Sequence, residues 1–539
     1  MHSPRLVLLF LFLFAFIAQN TRAQSCADDN KADPQSKVLA GQWGSNPENN
    51  RFQSAEQAGL TAAELPRLKL KWAYYLPPRF PGTSELRSQP AVTSDTLYVG
   101  TQEGKVLALD SRSGCTRWNY DNNDIQIRTA ISLGSPDPLK PRMLFFGDEE
   151  GFVTALDAIT GNKLWKTKID AHPEALITGA ITLYKDRLYV PVSSLEVVTA
   201  MNPFYKCCTF RGSVARLDAL SGKKIWQTFT TPESKKTGKN ALGVQMWGPS
   251  GAPVWNSPTI DVKRNVLYVG TGENYSSPAS KGSDSVLAID LDSGALRWAH
   301  QLTPGDAWNM SCAFPGKLNC PKEDGFDLDV GANTVLHHLP DGRDLVIAGQ
   351  KAGVVWALDP DKEGSLVWKT KVGRGGALGG IHWGLGSDER FIYVPNSDFE
   401  LNFLGIINAK RPEGTKNPGL NALDPLTGTI VWHYAEKFTC ADPTKCDDGF
   451  SAPPTIIPGA VFAGTLAGKL RAFDRDSGKI LWEHDTTQNV NTLNGPVGHG
   501  GSIDVDGAVI ANGHLYIHSG YGKLGKEGNV LLIYSVDGK

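Results

Sequence analysis

Ala108–Trp118 reads ALDSRSGCTRW, and the same arrangement, A-x-D-x-x-[ST]-G-x-x-x-W, returns along the whole chain. It appears as ALDAITGNKLW at Ala155–Trp165, as ARLDALSGKKIW at Ala215–Trp226 and as AIDLDSGALRW at Ala288–Trp298. A looser copy, ALDPDKEGSLVW, covers Ala357–Trp368. ALDPLTGTIVW at Ala422–Trp432 and AFDRDSGKILW at Ala472–Trp482 follow. The Trp-to-Trp spacings are 47, 61, 72, 70, 64 and 50 residues. Before each copy stands an alternating apolar run such as TLYVG, which is the pattern of a half-buried strand. The Asp and Gly of each motif suit a tight reversal, Asp by bonding local N–H groups and Gly by supplying positive φ. The closing Trp offers a flat apolar face for packing between neighbouring sheets.

Strand-built repeats of this length indicate a β-propeller. Seven motifs do not fix seven blades. LKLKWAYYL around Trp72 is a strand with no motif before it, and HLYIHS and NVLLIYSVD near the C-terminus are strands with no Trp motif after them. Pairing the two ends gives one composite blade, so the expectation is an all-β, eight-bladed β-propeller, with seven blades the alternative. Closure of the ring removes exposed sheet edges. The longer central spacings predict inserted loops at about 193–212, 232–255, 302–330 and 397–420, where function tends to sit.

Composition agrees. Across 539 residues, 57 Gly and 33 Pro are too many for a helical bundle, and 20% charged residues mark a globular chain. A formal net charge of −2 gives no footprint for nucleic acid. Residues 1–23 read as a secretory signal peptide: Arg5, then the apolar run Leu6–Ala18, then Thr21-Arg22-Ala23 as the cleavage site. That leaves 24–539 as one propeller domain, periplasmic or secreted, with no membrane span. Export permits disulfides. Of the eight Cys, Cys312/Cys320 and Cys440/Cys446 look like local staples, and the adjacent Cys207 and Cys208 bond either to each other or to distant partners. No C-x-x-C-H haem attachment and no G-x-S-x-G elbow occur, and no G-x-G-x-x-G stands between a strand and a helix.

The docking motif resembles that of the quinoprotein alcohol dehydrogenases, and the likeness covers essentially the whole mature chain. GTGENYSSP at Gly270–Pro278, TPGDAWNMSC at Thr303–Cys312 and GGSIDVDG near the end resemble the polyvinyl alcohol-oxidising subgroup. The resemblance implies an eight-bladed ring that holds pyrroloquinoline quinone (PQQ) near its axis. It also implies a calcium ion, an alcohol or polyol substrate and an external electron acceptor such as a soluble cytochrome c. The same blade motif occurs in a non-catalytic scaffold of outer-membrane assembly, so a binding propeller is the competing reading.

Residue by residue, the resemblance implies a floor for the quinone at Trp255, 18 residues before Glu273. It makes Arg128 and Thr178 contacts to the cofactor carboxylates, Lys351 the cation beside the quinone oxygens, and Asn396 a further polar contact. His382 and Trp383 are placed at the pocket mouth. Glu196 is the implied metal carboxylate. A second metal ligand is expected directly after G-T-G, where this chain has Glu273 and then Asn274. Cys207-Cys208 resembles a disulfide lying over the cofactor. The family's general base follows a Trp, but here Trp308 is followed by Asn309, which cannot accept a proton. Asp306 is then the nearest carboxylate and the candidate base.

Overall fold

A computed structural model describes residues 25–539 except 28, 400–409, 411, 438–447 and 524. Among the described residues, eight sheets, each with a four-stranded antiparallel core, form the blades of a closed ring, and three further sheets are two-stranded. The second blade shows the plan. Its strands Ser132–Gly134, Met143–Gly147, Phe152–Asp157 and Lys163–Lys168 run outward from the axis as a meander. Met143–Gly147 is buried throughout, because neighbouring blades cover both of its faces, whereas Lys163–Lys168 on the outer edge is largely exposed. The ring closes as the composite blade requires. Leu68–Tyr75, from the N-terminal side, pairs antiparallel with Val530–Val536 and becomes the outermost strand beyond Val509–Ala511 and His514–Ser519.

The repeat explains how blades adhere. In each motif turn the Asp carboxylate accepts local bonds; Asp157 Oδ1 takes them from Ile159 N (2.9 Å), Thr160 N (2.8 Å) and Thr160 Oγ1 (3.0 Å). The Trp of one blade then lies on the turn glycine of the next. A Cβ added at Gly161 would stand 2.6 Å from the Trp118 ring, so glycine is required there both for that contact and for its φ of +73°. Trp165 lies likewise on Gly222, Trp226 on Gly294, Trp298 on Gly364, Trp368 on Gly428 and Trp432 on Gly478. Trp72 packs on Gly114 and is the eighth docking tryptophan. The chain is cut between the composite blade's outer strands, so that blade has no motif turn, and Trp482 Nε1 instead donates to Leu68 O at 3.2 Å.

A segment without any periodic signal, Gly41–Gln53, threads the hub and bonds to every blade. Gln89 Nε2 donates to Trp43 O, Leu133 N to Gly41 O, Leu183 N to Gln42 Oε1 and Ile260 N to Pro47 O. Leu336 N donates to Glu48 O, Ser387 N to Asn50 O, Ile456 N to Arg51 O and Ile510 N to Gln53 Oε1. Arg51 is buried at its centre, with its guanidinium donating to Pro454 O, Trp43 O, Gln89 Oε1 and Thr455 Oγ1. Three of the expected inserted loops occupy 195–212, 230–258 and 302–334, between strands of the third to fifth blades, and the second carries a hairpin of Lys235–Lys239 with Gln245–Gly248; the fourth, at 397–420, lies partly outside the described residues. No helix among the described residues is long and apolar enough to cross a membrane.

Candidate active site

Trp255 comes from the loop entering the fourth blade. Its ring packs so tightly on the loop that leads into the fifth blade that a Cβ at Gly331 would lie 2.0 Å from it. Its Nε1 donates to Asp329 Oδ2 at 3.0 Å, which fixes the plane of the indole. The rings of His382 and Trp383 stand edge-on to it at 5.7 and 5.0 Å. Burial, with the Lys351 charge adding, pushes the His382 pKa down to about 3, so the imidazole is a neutral wall.

On one side of this indole lies a cation among carboxylates. Lys351 Nζ sits 5.4 Å from the Trp255 ring centroid, 2.8 Å from Asp327 Oδ1 and 3.0 Å from Asp329 Oδ2. Oxygens of Glu273, Asp327 and Asp329, all buried, lie within 4.8 Å of one another. Burial works against the Lys351 charge, but Asp327, Asp329 and Glu273 outweigh it and hold its pKa above the usual value. Burial, and then the neighbouring Asp329 and Asp327, push Glu273 well above the carboxylate range. Asp327 is also pushed well up by burial, against the pull of Lys351. Asp329 is held low despite its burial, by Lys351 and by hydrogen bonding with Glu273. Two acids whose protons are strongly held thus face one ionised carboxylate and one ammonium. The three oxygens form an all-oxygen set suited to a hard cation.

The same indole also borders a buried cationic pair. A narrow pocket of about 20 Å³ beside Trp255 is lined by Arg87, Arg128, Thr178, Trp43 and Trp383 among others. Arg87 Nη2 and Arg128 Nε are buried without a hydrogen-bond partner. Arg87 lies over the Trp383 ring at 5.3 Å, and its Nε donates to Arg128 O at 3.2 Å. The one nearby anion paired with Arg128, Glu85 at 3.6 Å, is shared with Lys523 at 3.1 Å. Burial, and then the like charge of Arg87, lower the Arg128 pKa to about 10. Unsatisfied buried guanidinium groups beside a flat aromatic face fit an anionic, planar ligand. PQQ, a flat tricarboxylate, has that chemistry.

The other residues singled out from sequence are placed differently. Thr178 lines the cavity and accepts from Ser193 Oγ at 2.9 Å. Glu196 is fully buried, but its oxygens accept from Tyr205 Oη (2.9 Å), Thr209 N (2.8 Å) and Phe210 N (2.9 Å), apart from the three-carboxylate cluster. Asn274 spends its amide on Ser250 O and on Ser280 N. Asn396 donates to Asn417 O at 2.7 Å and is not among the residues lining the cavity. Cys207 and Cys208 bond to each other, and both are fully buried beside Phe210 and Tyr275. Cys312–Cys320 is the expected staple, Cys26 pairs with Cys115 across 89 residues, and Cys440 and Cys446 lie outside the described residues.

Asp306 is buried, and its two oxygens accept from Phe326 N (2.9 Å) and Leu328 N (2.8 Å). It pins the backbone that presents Asp327 and Asp329, and it does not itself face Lys351. Asn309 caps the short turn Met310–Ala313 through Ser311 N and donates to Tyr275 O and Asn319 O at 2.8 Å each. Both donated bonds need an amide, which explains Asn at this position. Asp327, Asp329 and Arg87 escaped the sequence reading. The signal for the first two was the alternation Asp327-Leu328-Asp329, cut off from Trp308 by an insertion that carries the Cys312–Cys320 staple.

A family model described as glucose/ethanol/alcohol dehydrogenase, beta-propeller domain, matches residues 41–326. A polyvinylalcohol dehydrogenase from Pseudomonas sp is 40% identical over 515 residues, covering 92% of this chain and 77% of the relative. The chain belongs to the quinoprotein alcohol dehydrogenase family. A second polyvinylalcohol dehydrogenase, from Sphingopyxis sp. (strain 113P3), is 38% identical over 92% of this chain and 76% of its own length. The solved quinohemoprotein alcohol dehydrogenase of Comamonas testosteroni shares the fold, with a TM-score of 0.67 at 19% identity over 93% of this chain and 81% of that one. The outer membrane protein assembly factor BamB model matches residues 351–524. That stretch carries three copies of the docking motif but lacks Trp255, Arg128 and the three carboxylates, so the match follows the blade repeat. This quinoprotein dehydrogenase is a PQQ-dependent oxidoreductase acting on alcohols.

Proposed function

We propose that the protein is an exported dehydrogenase that oxidises secondary alcohols, polyvinyl alcohol and related polyols among them, to ketones. Electrons pass to an external acceptor such as a soluble cytochrome c. The observation that carries this reading is Trp255 bordered by both an ammonium–carboxylate cluster and two buried, under-satisfied arginines. The relatives named polyvinylalcohol dehydrogenase supply the substrate class. The N-terminal pattern of residues 1–23 and the three disulfides support export.

In this account Trp255 carries the cofactor ring, with Arg87, Arg128 and Thr178 taking its carboxylates. When bound, PQQ supplies the two-electron acceptor for the hydrogen on the carbinol carbon. Lys351 stands where negative charge on the ring oxygens is stabilised. Glu273 and Asp329 hold a hard cation, calcium by expectation, and Glu273 gives up its proton as the cation arrives. Asp327 is the proton acceptor. With the cation bound, Asp327 is ionised as well as Glu273; Lys351 engages its Oδ1, and Oδ2 then takes the hydroxyl proton. Asp306 acts through the loop as a positioning residue, and Glu196 holds the Cys207–Phe210 turn in place.

The test is a dye-linked assay of the PQQ- and calcium-loaded chain on butan-2-ol, pentane-2,4-diol and polyvinyl alcohol, with product analysis. Dye reduction with ketone formation is expected. Turnover of primary alcohols alone would overturn the substrate assignment.

A further inference from the structure

The insertions that build the reaction centre also build a second concavity. A groove of about 380 Å³ lies between the hairpin Lys235–Lys239/Gln245–Gly248 and residues 318–323. Its apolar surface comes from Met246, Trp247, Leu318 and Pro321, and its rim from Asn240 and Lys322. Trp247 is half-buried, with Lys236 Nζ 5.7 Å from its ring centroid. The walls are braced. Asn240 Nδ2 donates to Pro203 O (2.8 Å) and Asn319 Oδ1 (2.9 Å), while Glu323 accepts from Ser277 Oγ and from Ala279 N. A cavity held open by such cross-bonds is preformed and needs no rearrangement to receive a ligand.

Its position relative to the chemistry is fixed by the chain. One wall contains Ser276, three residues after Glu273 along the extended strand Asn274–Ser276, so about 10 Å separates them. Glu323, which accepts from Ser277 Oγ and Ala279 N beside it, stands four residues before Asp327. Two stretches of chain therefore run from the groove to the centre. A small alcohol at Asp327 has no need of this space. A chain a few repeat units long spans the distance of about 10 Å between Glu273 and Ser276. An aromatic and aliphatic floor with amide and ammonium groups along the rim suits a molecule with a hydrocarbon backbone on one side and hydroxyls on the other.

We propose that this groove is an accessory subsite that binds an extended polyhydroxylated chain a few repeat units away from the alcohol being oxidised. The proposal rests on the dehydrogenase reading for its substrate class. Trp247 supplies the stacking face, and the effect is on capture of the polymer and not on the chemical step.

The experiment compares wild type, Trp247→Ala and Met246→Lys in the loaded enzyme, with polyvinyl alcohol and pentane-2,4-diol as parallel substrates. Polymer binding to the cofactor-free chain is followed by calorimetry. Both variants should raise KM for the polymer about tenfold, weaken polymer binding by a similar factor, and leave kcat and the diol parameters unchanged. Unchanged diol turnover also shows that each variant is folded. Polymer KM unmoved in both variants, or diol and polymer affected alike, would overturn the subsite. Wild type that turns over the diol but neither binds nor oxidises the polymer would overturn it while leaving the dehydrogenase reading intact. Polymer binding lost in Trp247→Ala, with no dye reduced by any wild-type preparation, would uphold the subsite and sink the dehydrogenase reading.

Discussion

The arginine pair beside Trp255 should be a liability in the cofactor-free protein, and Arg128→Met measures it. Arg128 is buried beside Arg87, and its pKa falls from 12.5 to about 10. Each unit of such a shift corresponds to about 1.4 kcal/mol, so the folded state bears a cost of about 3 kcal/mol for keeping this charge. The sign follows from the depressed value: folding disfavours the charged form across the whole neutral range. Methionine retains the apolar stem and removes the charge. Glu85 is not orphaned by the change, because Lys523 remains 3.1 Å away. A chain of this length gains roughly 1 kcal/mol/K of entropy at its midpoint, so the unfolding temperature should rise by about 3 °C. Calorimetric scans of cofactor-free wild type and variant read this directly. Adding PQQ should then reverse the order, raising the midpoint of wild type and leaving Arg128→Met nearly unmoved. A midpoint that falls in the cofactor-free variant would refute the reasoning, since it would mean the Arg128 charge is already satisfied.

Other consequences can be checked in parallel. Asp327→Asn should lower kcat by about 10²-fold or more in the dye-linked assay with PQQ binding retained, whereas Asn309→Asp should gain nothing, since position 309 faces Tyr275 and Asn319. Gly161→Ala must place a Cβ against Trp118 and strain a left-handed turn, at a cost of roughly 2–4 kcal/mol, read as a lowered unfolding midpoint. His382 is held at about 3 when folded against 6.5 otherwise, so stability should fall as pH drops below 6.5. Between pH 6.5 and 4.5 wild type should lose about 3 kcal/mol that His382→Gln retains, in denaturant titrations at the two pH values.

The ring itself was legible because each blade repeats its own docking chemistry. The Asp, Gly and Trp of ALDAITGNKLW each have a local or next-blade partner, and such a pattern survives insertion between repeats. Trp72 reads less plainly, since the strand exchange that closes the ring removes the turn that would have marked it. The segment Gly41–Gln53 bonds to all eight blades and carries no period to detect. Within the candidate site, Trp255, Glu273 and Lys351 were readable because they fall at positions that match the resembled family's pattern. Asp327 and Asp329 were not, because the staple-bearing insertion moved them away from Trp308 in sequence while Asp306 returns them in space. Arg87 looks like any surface arginine until burial deprives its guanidinium of partners.

The central claim is that Trp255, the arginine pair and the carboxylate cluster together form one PQQ site. It is tested most directly by titrating the cofactor-free chain with PQQ, with and without calcium, following the quinone absorbance and comparing wild type with Trp255→Ala and Glu273→Gln. The account predicts saturable one-to-one binding that strengthens with calcium, loses affinity in Trp255→Ala, and loses its calcium dependence in Glu273→Gln. Absence of saturable binding in wild type under both conditions would contradict it.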